Sequence, residues 1–136
     1  MTTTIQRLKK RAEFLRVRNG ARAVRPAVLV EARRREAAGP VGLGLTASKK
    51  VGSAVVRNRA RRRLREAARQ LLPLHGLPGV DYVLVARAST AEAPWEALLD
   101  DLGNALIRLR ADLENPRGSG PRGRAAPPRA PATESD

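Results

Sequence analysis

Apolar residues recur along the chain with two periods, and the switches between them mark out the elements. Leu8, Ala12 and Leu15, with Phe14 less regularly placed, repeat at helical spacing and stop before Gly20, which predicts a short first helix. AVLVEA at 27–32 and VGLGLTA at 41–47 are β-branched or apolar runs separated by a charged Gly-Pro stretch, and they predict two neighbouring antiparallel strands. A further short strand fits residues 21–24. Ser53 can cap a long helix that runs to about Leu72, where Pro73, Gly76, Pro78 and Gly79 stop it. VDYVLVA at 80–86 is the strongest strand. Pro94 suits the first turn of a closing helix to about Leu113, whose Trp95, Leu98, Leu99, Leu102, Leu106 and Leu109 form a core stripe. The order αβββαβα predicts a single small α+β domain over residues 1–114, and no internal repeat is visible.

From Asn115 onward the sequence holds almost nothing apolar larger than alanine, so it cannot bury enough surface to offset its ordering entropy. A disordered Pro/Gly/Arg-rich tail is expected over residues 115–136. Charge then changes the picture. The 136 residues carry 27 Lys and Arg against 13 Asp and Glu, a net of +14 that calls for a polyanionic partner, with nucleic acid first. Only four of the basic residues are lysines; the rest are guanidinium groups, which fork onto phosphate oxygens. The same bias is what a GC-rich genome would produce, so the positions carry the argument.

Those positions cluster on the long helix. At about 100° per residue, Val56, Ala60, Leu64, Ala67 and Leu71 share an arc of roughly 80° that faces a core. Arg57, Arg61, Arg65, Arg69, Asn58 and Arg62 fill the adjoining arc and make one continuous positive face. Arginine pairs four residues apart destabilise an isolated helix by about 0.2–0.5 kcal/mol each, so they need a functional reason. A solvated face of mixed charge does not supply one, because Glu66 alone interrupts seven arginines between Arg57 and Arg69. Just upstream, TASKKVGS sets Lys49, Lys50 and a glycine at the helix N-terminus, whose free N–H groups favour phosphate.

Candidate catalytic chemistry is thin. His75 is the single histidine and sits in a turn, PLHGLPG, without an orienting partner. Glu92, Glu96, Asp100 and Asp101 lie on or just before the last helix, where early acids favour the helix dipole. No general acid–base pair or set of carboxylates converging on metal can be assembled, so neither catalytic nor metal-ligating residues are assigned. The lack of cysteine suits a reducing compartment, and no apolar run approaches the ~20 residues a membrane helix needs. A cytoplasmic protein without membrane contact is the expectation.

The run SKKVGSAVVRNRARRRLREA, residues 48–67, closely resembles the signature of the protein subunit of bacterial ribonuclease P. RLKKRAEFLRV at 7–17, VGLGLTASKK at 41–50 and DYVLVARA at 81–88 follow in that family's order and spacing, so the resemblance covers about residues 5–112. It implies a ribosomal-protein-like fold, a sheet covered by helices. It also implies a left-handed crossover from strand 41–47 through the arginine helix to strand 80–86, against the usual right-handed rule.

The resemblance further implies an endoribonuclease whose RNA subunit, with bound Mg2+, carries the chemistry of removing 5′ leaders from precursor tRNA. The protein would hold no cofactor and would act as a monomer in a 1:1 complex with that RNA. Lys49, Lys50, Arg57, Asn58, Arg59, Arg61, Arg62 and Arg65 are then expected against the catalytic RNA. A cleft including Phe14 and Val17 is expected to hold the single-stranded leader. The family often has aromatic residues just after Val17 and at the position of Val30, where this chain has Arg18 and Val30. With Phe14, Tyr82 and Trp95 the only aromatics, leader binding should rely on backbone charge more than on stacking. The competing readings are a structural RNA-binding protein of the ribosome and, less well supported, a histone-like DNA-binding protein, for which no helix-turn-helix spacing is present.

Overall fold

The computed structural model describes residues 5–36 and 38–114; the expected tail lies outside the described residues. The elements are β1 (Ile5–Arg7), α1 (Arg11–Arg18), β2 (Ala21–Val24), β3 (Val28–Arg34), β4 (Val41–Thr46), α2 (Ala54–His75), β5 (Val80–Ala86) and α3 (Trp95–Glu114), with a single 3-10 turn at Lys49–Val51. They build a small α+β domain around a five-stranded mixed sheet in the order β1-β4-β5-β3-β2. β1, β4 and β5 run parallel, and β3 is antiparallel to both β5 and β2.

Two expectations need correction. The strands over 27–32 and 41–47 are not neighbours, because β5 inserts between them, pairing Val30 with Leu84 on one side and Leu43 with Tyr82 on the other. The reason is burial. Every residue of β5 except Val85 is buried, so the most apolar strand takes the centre, and the charged 33–40 stretch spans a gap rather than closing a hairpin. The polar N-terminal segment also contains a strand: Ile5–Arg7 adds to the sheet edge by pairing with Val41–Leu43.

Strand alternation divides the side chains between two layers. Val28, Val30, Ala32, Val41, Leu43, Val80, Tyr82 and Leu84 meet Ala60, Leu64, Leu72, Leu98, Leu102 and Leu106 of α2 and α3 in the main core. On the opposite face Val83 packs with Val17 and Leu8, flanked by Phe14 and Val85, beneath α1. The stripe expected for the first helix is therefore phased differently. The helix starts only at Arg11, leaving Leu8 outside it, and Val17 rather than Leu15 is buried. Glu13 fixes that start by accepting from the N–H groups of Lys9 and Lys10 at 2.8 and 2.9 Å, which hold its carboxyl below the usual range.

Candidate nucleic-acid interface

Ser53 caps α2 as the sequence predicts, its hydroxyl accepting from Val56 N–H at 3.3 Å. The helix continues past Leu72 through Pro73 to His75 and closes with Gly76 N–H donating to Leu72 C=O at 2.7 Å. Ala60, Leu64 and Ala67 are buried as expected, Val56 and Leu71 are half-buried, and Ala68 and Leu72 join the core. Those two additions lie on the side where the charged arc runs, so the continuous positive face ends near Arg65. Arg69, beyond it, pairs with Glu66 at 3.5 Å.

Within that face Asn58, Arg62 and Arg65 are exposed and Arg57 and Arg61 half-exposed. Arg57 donates to Gly52 C=O at 3.1 Å, and Arg61 donates to the Asn58 side-chain oxygen at 2.5 Å, which ties the first turns together without neutralising a charge. Arg59 is exposed but sits about 60° beyond Arg62 around the helix, off the arc. Arg63 is held by the protein itself. It donates to Thr90 C=O and Ala93 C=O at 2.6 and 2.5 Å and lies 5.7 Å from the centre of the Trp95 ring.

Lys49 and Lys50 are exposed on the 3-10 turn that joins β4 to α2. Gly52 ends that turn at φ +147°, and a Cβ there would stand 3.0 Å from a Val56 methyl, so only glycine lets the chain enter the helix this closely. The same connection borders a cleft of about 450 Å³ on the α1 side of the sheet. Phe14, Arg18 and Arg22 line it together with Leu29, Glu31, Val83 and Val85 of the sheet and residues 46–48 at the end of β4. The basic helix and the cleft therefore meet at one continuous segment.

Phe14 lies where a cleft residue was expected, half-exposed. Val17 does not line the cleft: it is fully buried between α1 and Val83, where it packs the helix onto the sheet. Val30 is likewise turned away, fully buried in the main core, so its side chain has no bearing on stacking in the cleft. Its neighbours Leu29 and Glu31 face the cleft instead, a parity the alternation of AVLVEA contains. Tyr82 is also committed to the main core, its hydroxyl accepting from Leu77 N–H at 3.0 Å and its pKa raised by burial. Phe14 is the one aromatic in the cleft.

Its ring lies on backbone. A Cβ on Gly44 would stand 2.5 Å from Phe14 Cε2. Gly44→Ala should cost about 1–3 kcal/mol in a denaturant titration, and Phe14→Leu in the same background should recover most of it. Two residues back along β4, on the same face, a Cβ on Gly42 would strike the Asp81 carboxylate. Asp81, 2% exposed, takes Arg16 of α1 at 2.9 Å and, on its other oxygen, Arg35 from the loop after β3. This network, which sequence reasoning missed, clamps α1 over the sheet and so fixes one wall of the cleft.

Among the described residues no group of three or more His, Asp or Glu side chains could hold a metal ion, and no helix is long and apolar enough to cross a membrane. The site is thus a guanidinium-rich helix face joined to a partly apolar cleft, a surface whose charge and chemistry suit a polyanion such as nucleic acid. The family model for Ribonuclease P matches residues 3–110. A "Ribonuclease P protein component" of Caulobacter vibrioides is 50% identical over 114 residues, covering 83% of this chain and 76% of that protein. One from Ruegeria pomeroyi is 52% identical over 107 residues, covering 76% and 86%. Among solved structures, a Staphylococcus aureus RNase P protein mutant superposes with a TM-score of 0.66 at 26% identity, covering 76% of this chain and 87% of that one. The Thermotoga maritima RNase P protein gives 0.65 at 25% identity, covering 76% and 96%. The chain belongs to the ribonuclease P protein family.

Proposed function

We propose that this protein anchors the catalytic RNA of ribonuclease P through the α2 face and holds the 5′ leader of precursor tRNA in the α1-side cleft. It thereby promotes cleavage at the mature 5′ end without supplying a reacting group. The observation that carries this reading is the union of the two surfaces. The segment that links β4 to α2 lines the cleft at residues 46–48 and carries Lys49 and Lys50 next in sequence. It leads into the helix that bears Arg57, Asn58, Arg61, Arg62 and Arg65, while Arg18 and Arg22 line the cleft itself. The helix face presents fixed charge to a structured RNA backbone. The cleft is bordered by the apolar side chains of Phe14, Leu29, Val83 and Val85, which suit the exposed bases of an unpaired strand better than the phosphate exterior of a duplex. Arg59 extends the RNA contact around the helix.

In the same proposal the Mg2+ that the family's reaction uses is held by the RNA subunit, where it would activate the attacking water. A cytoplasmic setting and a 1:1 complex of a protein monomer with the RNA belong to the same proposal. The chain has no cysteine, so a single introduced thiol can carry a photo-crosslinker. A probe at Val55→Cys, an exposed position one turn before Asn58 and Arg59, should label the RNA subunit, and one at Ser48→Cys, on the cleft rim, should label the leader. Labelling of mature-tRNA nucleotides in place of the leader from position 48 would overturn the cleft assignment.

A further inference from the structure

Glu31, Asp81 and Thr90 are the buried polar or charged side chains among the described residues, and two of them are satisfied. Thr90 donates to Ala27 C=O and accepts from Arg87 N–H, each at 2.7 Å, and Asp81 holds two guanidinium groups. Glu31 differs. It is 7% exposed, faces the cleft from β3, and has no side-chain hydrogen bond and no ion pair with any described residue. Burial pushes its carboxyl above the usual range, while Arg22 and Arg18 act on it only through space and in the opposite sense. An acceptor left this way is costly unless something that enters the cleft donates to it.

The chemistry of that donor is restrictive. A phosphate oxygen would be repelled, so the carboxylate faces a base edge while Arg18 and Arg22 suit the flanking phosphates. Among the four bases only guanine sets two donors, N1–H and N2–H, side by side on its Watson–Crick edge, matching the two oxygens of a carboxylate. Adenine and cytosine place one amino group next to a ring-nitrogen acceptor, and uracil places its one N–H between two carbonyls. The apolar border of Phe14, Leu29, Val83 and Val85 gives the base faces a surface to rest on.

We infer that Glu31 is a specificity-determining residue that reads an unpaired guanine of the RNA strand held in the cleft. The inference rests on the leader-binding reading and adds to it a base preference that charge alone would not produce.

The test uses the reconstituted protein–RNA holoenzyme and precursor tRNAs whose leaders differ at one nucleotide at a time. At one leader position guanine should bind about tenfold more tightly than uracil, the order expected for a two-bond base contact. Glu31→Gln replaces an oxygen acceptor by a donor and should bring the four bases to within about twofold of one another. Its melting temperature should stay level or rise, because an unpaired buried charge is removed. No guanine preference at any leader position, or one that persists in Glu31→Gln, would overturn the inference. Mature tRNA without a leader separates the two readings. If the protein strengthens binding of mature and precursor tRNA equally, the cleft assignment falls and the role of Glu31 with it; if the gain depends on the leader but not on its bases, only the role of Glu31 falls.

Discussion

Replacing Arg61 and Arg65 together with alanine is expected to weaken binding to the RNA subunit by on the order of a hundredfold near 0.1 M salt, with no loss of thermal stability. Each side chain projects from α2 without an acidic partner among the described residues, so each can neutralise a phosphate through charge-assisted hydrogen bonds. If the face covers about six phosphates, the log–log dependence of affinity on salt should have a slope near −4 for single-stranded RNA and a steeper one for helical RNA. Removing two contacts should flatten the single-strand value to about −3. Stability should hold or rise slightly, because the double replacement relieves the 57/61, 61/65 and 65/69 repulsions, worth about 0.2–0.5 kcal/mol each. A fall in affinity with an unchanged slope would move the binding to another surface.

Asp81→Ala should be the most destabilising single change, about 3 kcal/mol in a denaturant titration. Two guanidinium groups converge on a carboxylate that is 2% exposed, and removing it leaves them facing an apolar sheet surface. The cost lies near the lower end for such pairs because Arg16 and Arg35 keep 37% and 19% of their side-chain exposure and can rehydrate. For a domain of this size that loss lowers the melting temperature by roughly 12–20 °C. The effect should reach function through α1: in the folded fraction, leader-dependent affinity should fall more than affinity for the RNA subunit, because the clamp positions the cleft wall and not α2. Equal losses of both would show a general loss of fold.

Much of this architecture is legible in the sequence where the signals are local. Ser53, the four-residue recurrence of Val56, Ala60 and Leu64, and the arginines beside them specify α2 and its exposed face within one segment. The sheet order is not local. Nothing in VGLGLTA or AVLVEA says that β5 will separate them; that follows from competition for the most buried position, which the strand with the largest apolar surface wins. β1 is three residues long and mostly polar, and its order comes from the edge of β4, 36 residues away in register.

At the site the basic helix is readable, whereas the cleft is only partly so. Two acids inside otherwise apolar strands, Glu31 and Asp81, were the available signal, and alternation places both on the α1 side. What could not be read is that Asp81 would meet partners 65 and 46 residues distant while Glu31 would meet none. Alternation along AVLVEA by the same parity turns Val30 into the core and Glu31 into the cleft.

The most direct measurement is cleavage of a precursor tRNA by the cognate ribonuclease P RNA at low magnesium, with and without this protein. Cleavage at the mature 5′ end only when both are present is the predicted result. Tight binding of the protein to that RNA with no gain in cleavage would contradict the account.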